Sequence, residues 1–180
     1  MVMLVLIIVS ILGVGAAQIA LMSERGSRND RDMQIAWQGS EAGLLDAESD
    51  LFDTTAGTTR NASFDGKDLS LFTDVDCGTV ASANEGLCAT ATTGKPSWLR
   101  VDFADTSSSA RTVAFGSHTA KTFPAGSAGI QSAAVPRYVI EVVTDPTGRK
   151  DDPTYMYRVT SMGFGPRREI QAVTQILYRK

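Results

Sequence analysis

The first 23 residues carry no charge, and the first charged side chain is Glu24. At 1.5 Å of rise per residue, a helix over residues 1–22 spans roughly 33 Å, enough to cross a bilayer core. No basic stretch precedes the apolar run, and no small-residue cleavage site follows it. It leads into a polar segment with a helical apolar stripe. It therefore reads as an apolar helix end left after a short leader has gone, not as a signal peptide. Gly13, Gly15, Ala16 and Ala17 keep part of it narrow, and small residues let helix backbones approach closely in a membrane or a bundle.

Residues 23–32, SERGSRNDRD, are polar and of mixed charge. Beyond them Met33, Trp37, Ser40, Leu44, Ala47 and Leu51 recur every three or four residues. Ala36, Leu45, Glu48 and Phe52 widen that stripe, while Glu41, Asp46 and Asp50 lie off it. The spacing predicts an amphipathic helix over about residues 28–53, stopped by Thr54, Thr55 and Gly57. Gly26 either breaks a helix here or merely weakens it by about 1 kcal/mol. The simplest picture is one long helix, apolar all round at its start and amphipathic at its end.

Setting aside the apolar head leaves about 155 of the 180 residues, enough for one core but not comfortably for two. Residues 54–110 show no sustained period and are punctuated by Asp, Gly, Thr and Ser. FDGKDLSLF at 64–72 fits a turn and a short helix. Such a long irregular stretch needs fastening. The chain has two cysteines, Cys77 and Cys88, and both lie here. A membrane-anchored domain outside the cytoplasm oxidises such a pair, constraining the unfolded chain by roughly 3 kcal/mol. Strand signals cluster later, in RTVAF at 111–115, RYVIEVV at 137–143, TYMYRVTSMGF at 154–164 and REIQAVTQILY at 168–178. The linkers DPTGRKDDP at 145–153 and GPR at 165–167 suit hairpins. The expected fold class is α+β. A long N-terminal helix packs its stripe, with Met33, Trp37, Leu44 and Leu51 buried, on an antiparallel sheet at residues such as Val159 or Ile176. The expected division is an apolar helix half at 1–24 and a globular head at 25–180. The head holds the amphipathic helix half, the disulfide loop region at 54–110 and the sheet at about 111–178.

Catalytic and ligand-binding patterns are scarce. His118 is the single histidine, in a Gly-Ser-His-Thr stretch that reads as a solvated loop, so a serine triad lacks its base. Two cysteines and one distant histidine do not make a four-ligand zinc site. GFGPRR at 163–168 lacks phosphate-loop and dinucleotide spacings. The acidic run DPTGRKDD at 145–152 does not match a calcium loop and reads as a solvated turn. The net charge of −3 offers no general cationic field for nucleic acid. No enzyme, cofactor or metal is expected.

The segment MSERGSRNDRDMQIAWQGSEAGLLDAE at 22–48 resembles the helix signature NxRDRxxAxQAAEAALRDAE of the PilX family of type IV pilus minor pilins. Asn29, Arg31, Asp32, Ala36, Gln38, Glu41, Ala42, Leu44, Asp46, Ala47 and Glu48 match it in register. GLC at 86–88, Pro-x-Trp at 96–98, PRYVIE at 136–141 and YRVTSMGFG…AVTQILYR at 157–179 resemble further landmarks of that family. The resemblance implies the type IV pilin fold, processing by a prepilin peptidase and N-methylation of Met1. It implies residence in the inner membrane with the head in the periplasm, then a place at the pilus tip. Other minor pilins, the major pilin and a tip adhesin are the implied partners, and the implied role is to prime pilus assembly. Two other functions compete with it: a tip-displayed adhesin that binds through the loops at 54–110, and a pseudopilin of type II secretion. The pseudopilins that share the next feature usually carry a larger inserted domain, which 180 residues do not accommodate.

Most pilins carry glutamate at mature position 5, thought to pair with a neighbour's N-terminal amine. Here that position is Val5, between Leu4 and Leu6. The PilX branch commonly lacks the glutamate too. A buried, unpaired charge in an apolar bundle is costly. A neutral residue 5 therefore suits a topmost subunit with no amine above it.

Overall fold

A computed structural model describes residues 2–53, 60–126, 129–149, 151 and 153–180. Helix α1 runs unbroken from Val2–Phe52, so Gly26 does not interrupt it. Thr54, Thr55 and Gly57, the expected stop signals, lie outside the described residues. The strands are β1 (Leu87–Cys88), β2 (Val113–Ala114), β3 (Arg137–Thr144), β4 (Tyr155–Phe164) and β5 (Gln171–Tyr178). β3, β4 and β5 form an antiparallel meander, as the alternating sequence predicts. β1 and β2 share the far edge of β3, so the sheet order is β1-β3-β4-β5 with β2 beside β3. β1 lies parallel to β3, pairing Leu87 with Ile140, which makes the sheet mixed where a purely antiparallel one was expected. The expected strand at 111–115 shrinks to the two residues of β2, and 64–72 holds turns without a helix.

The period-2 alternation gives the sheet two distinct faces. Tyr138, Ile140 and Val142 of β3 share one face with Tyr157 and Val159 of β4, and this face forms the main core with Ala47, Leu51, Phe64 and Phe72. Val139 lies on the opposite face, packed with the Cys77–Cys88 pair and Phe103. The helix thus covers one side of β3 and the disulfide region covers the other. Rings at the far end of the helix lock together edge to face, with Phe64 and Tyr157 centroids 5.3 Å apart.

The buried face of α1 keeps Ser40, Ala47, Leu51 and the flanking Ala36 of the expected stripe but turns away from its bulky N-terminal members. Ala36, Gly39, Ser40, Gly43, Ala47 and Leu51 are buried, whereas Met33 and Trp37 are 46% and 51% exposed. Leu44 is half-buried against the main core, and Leu51 is fully buried. Val159 is buried as expected, but Ile176, on the edge strand, is exposed. The true contact face lies about 100° round the helix from Trp37, one residue's step. The cause is a close approach of backbones. A Cβ on Gly163 would collide with the helix backbone at Ala36, Gly39 and Ser40, and one on Gly43 would collide with Ser161. Residues with little or no side chain let β4 settle into the helix, so the bulky Met33 and Trp37 turn outward.

Candidate assembly surface and its polar anchor

Two parts of α1 do different work. From Val2 to Gln34 almost every side chain is exposed, and the most apolar stretch of that run buries nothing among the described residues. By length and composition it can cross a membrane. Val5 is 57% exposed, in a row that includes Leu4, Leu6, Ile7 and Ile8. Met1 lies outside the described residues. The apolar row ends in charge, with Arg28 paired to Glu24 one turn earlier and Arg31 to Asp32. Met33 and Trp37 continue the exposed surface onto the head, and Trp37 donates its indole Nε1–H to Glu41 at 2.7 Å.

The last turns of the same helix are anchored by buried carboxylates. Asp50 is fully buried and accepts from Arg60 Nη2 at 2.6 Å, from Arg60 Nε at 3.1 Å and from the Tyr138 hydroxyl at 3.1 Å. Arg60 also donates to the Glu85 carbonyl at 2.5 Å. Asp46, also buried, accepts from the Gly116 backbone N–H at 2.8 Å and from the Thr119 hydroxyl. The sequence places both acids off the apolar stripe, where solvent is the expected neighbour. The structure corrects this: their partners come from loops far along the chain. A carboxylate near a helix C-terminus opposes the macrodipole, and α1 has no basic residue in its last turn. Arg60 supplies the missing positive charge. Lys180 Nζ adds a second, donating to the Leu51 carbonyl at 2.7 Å. Burial and then the Asp50 carboxylate raise the Tyr138 phenol well above its ordinary value, so it stays a donor.

His118 stands inside this network rather than in solvent. Its Nε2 is buried, without a hydrogen-bond partner among the described residues, and lies 3.8 Å from Glu85 Oε2. Burial, then the Arg60 charge, hold the imidazole below its ordinary pKa, despite the opposing pull of Asp50, Glu85 and Asp46. In the irregular region Cys77 and Cys88 are disulfide-bonded. Arg111 ties that loop down, donating to Asp74 and to the Cys77 carbonyl, each at 2.7 Å. In the 145–152 turn Asp145 is occupied by Thr147 and Arg179, while Lys150 and Asp152 lie outside the described residues. No group of three or more potential metal-ligating side chains occurs among the described residues.

The arrangement holds one half of a rod rigidly in a head and presents the other half, apolar, for packing elsewhere. Residues 1–45 match the PilX N-terminal family, and residues 84–180 match the C-terminal region of the type IV pilus assembly protein PilX. This chain belongs to the PilX family. It is a type IV pilus assembly protein, and its exposed apolar helix is compatible with membrane anchoring. Neither a curated protein nor a solved structure matches it. The two matched regions coincide with the two halves of the fold, since the first ends within the helix–sheet contact and the second begins just before β1. The helix-face acids and the small-residue contact are the features of the head that the apolar stripe alone missed. Their available signal was the Ala36, Ser40, Gly43, Ala47 spacing, which is helical but barely hydrophobic.

Proposed function

We propose that this PilX-family chain is a non-enzymatic minor pilin of the initiation complex, which primes pilus assembly and helps display a tip adhesin. A prepilin peptidase processes it, Met1 becomes the methylated N-terminus, and the apolar half-helix waits in the inner membrane with the head in the periplasm. On assembly the same half-helix leaves the bilayer for the pilus core, at the tip, beside other minor pilins and above the major pilin. The observation that carries the tip placement is Val5, a neutral, exposed side chain in the apolar row. A carboxylate there needs a partner amine or must protonate in an apolar environment. A topmost subunit has no pilin above to supply that amine.

The test is Val5→Glu, read by counting surface pili and by pull-down of the tip complex. The expected outcome is fewer pili, or this subunit appearing along the shaft, because an unpaired carboxyl in the bilayer or bundle costs several kcal/mol. A rise in both pili and recovered complex means that residue 5 faces a neighbour's amine, and it contradicts the tip placement. Deleting the gene separates assembly from adhesion: lost filaments mark an assembly factor, whereas normal filaments with lost attachment mark an adhesin.

A further inference from the structure

The sheet guards one edge and leaves the other open. Along β3 the two short strands β1 and β2 occupy successive stretches of backbone. Along the far edge, β5 pairs with β4 alone among the described residues. An open edge is a row of unpaired N–H and C=O groups, and proteins usually blunt it with charge, proline, a bulge or brevity. β5 has none of these. Gln171–Tyr178 reads QAVTQILY, eight residues without charge or proline, paired to β4 in continuous register. Its outward face alternates Gln171 and Gln175 with Val173 and Leu177, the last two at 42% and 55% exposure.

We propose that the open edge of β5 is a docking site for an extended strand of a different polypeptide, one flanked by acidic residues. Only an extended backbone can satisfy such a row of donors and acceptors. The flanking chemistry follows from the ends of β5. Arg167 and Arg168 precede the strand, with Glu169 between them and it, and Arg179 and Lys180 follow it. Arg167 and Arg168 are exposed, and Lys180 spends its amine on the neutral carbonyls of Leu51 and Asn61. Arg179 is paired with Asp145 at 2.9 Å, so the positive charge left at that end is that of Lys180, while Arg167 and Arg168 outnumber Glu169 at the other. A second copy is the wrong guest. Antiparallel self-pairing sets the 167–168 end of one copy beside the 179–180 end of the other, and parallel pairing sets each end beside itself. Like charges directly opposed destabilise strand pairing, whereas acidic flanks on the incoming strand complement both ends. The proposal concerns the head alone and stands whether or not the subunit occupies the pilus tip.

The test uses the full chain in nonionic detergent micelles with two synthetic peptides of alternating Thr and Val. One ends in Asp-Glu at both termini, the other in Lys-Arg. Fluorescence anisotropy gives affinity, and amide hydrogen exchange locates the contact. The acidic-ended peptide is expected to bind about tenfold tighter or more, and to slow exchange across 171–178. Backbone N-methylation of the peptide abolishes binding, because it removes the donors. Leu177→Lys, at an exposed site, weakens binding without unfolding the head, and Arg167→Glu with Arg168→Glu erases or reverses the preference between peptides. The proposal is overturned if neither peptide binds, if both bind equally, if N-methylated peptide still binds, if protection appears away from β5, or if the wild-type chain self-associates through this edge.

Discussion

The two halves of α1 contain the same small residues and use them in opposite ways. Gly13, Gly15 and Gly26 have nothing within 4 Å of where a Cβ would stand. Gly43, farther along the same helix, is filled by Ser161, and Gly39 lies against Gly163. In the head half, small residues have already been used to bring helix and sheet backbones together. In the apolar half Gly13 and Gly15 meet nothing among the described residues. The comparison teaches that a glycine in a helix cannot be interpreted from its own sequence position. Its meaning depends on whether a partner surface is folded against it.

The contrast is broken most severely at the polar anchor. Asp50→Asn leaves Arg60 buried without its ionic partner, and breaking a buried pair costs about 3–5 kcal/mol. Thermal melting of the purified chain should show this loss, while Asp50→Leu combined with Arg60→Met should recover much of it. An unchanged melting temperature for Asp50→Asn would mean that the pair holds nothing.

Next in size is the close contact itself. Gly163→Ala puts a methyl group against the helix backbone and should cost about 1–3 kcal/mol, since backbone cannot move aside as a flexible side chain can. Gly13→Ala should leave the melting of the head unchanged, yet alter pilus number if that face packs in the fibre. Equal melting of the two variants would erase the distinction between the halves.

A smaller effect comes with pH. His118 titrates below its ordinary value in the folded chain, where burial and Arg60 disfavour its charged form. The unfolded chain therefore binds the proton more readily, and stability falls as pH drops below about 6.5, the ordinary histidine value. His118→Gln should flatten the stability profile between neutral pH and the onset of carboxylate titration. Burial and then Arg60 set the sign against Asp50, Glu85 and Asp46, so a profile rising toward acid would show that these carboxylates outweigh burial.

Much of this fold was legible in the sequence, and the failures share a cause. The long helix, the three-strand meander and the cysteine pair follow from local signals: period 3.6, period 2, and two thiols in an irregular region. The exact face of the helix did not follow, because Gly39 and Gly43 contribute nothing to a hydrophobic stripe while Trp37 dominates it. A backbone contact is silent in a pattern that counts apolar side chains. Asp46 and Asp50 were misplaced for the complementary reason. Their partners Gly116, Thr119, Arg60 and Tyr138 lie in other segments, so nothing local distinguishes a buried acid from a solvated one. β1 was too short to show a period, β2 fills only part of the strand expected at 111–115, and His118 looked solvated because the loop around it is polar. The PilX helix signature carried information that periodicity lacked: its match at Asp46 falls on a buried position off the apolar stripe.

The central claim is that the head is complete without the apolar half-helix, which is therefore free to pack elsewhere. A chain beginning at residue 28, oxidised at Cys77 and Cys88, tests this directly by thermal melting followed through its near-ultraviolet circular dichroism. The account predicts a soluble, cooperative transition within a few degrees of the full chain in micelles. A flat melt with no tertiary signal would contradict it, because the apolar half would then be part of the fold.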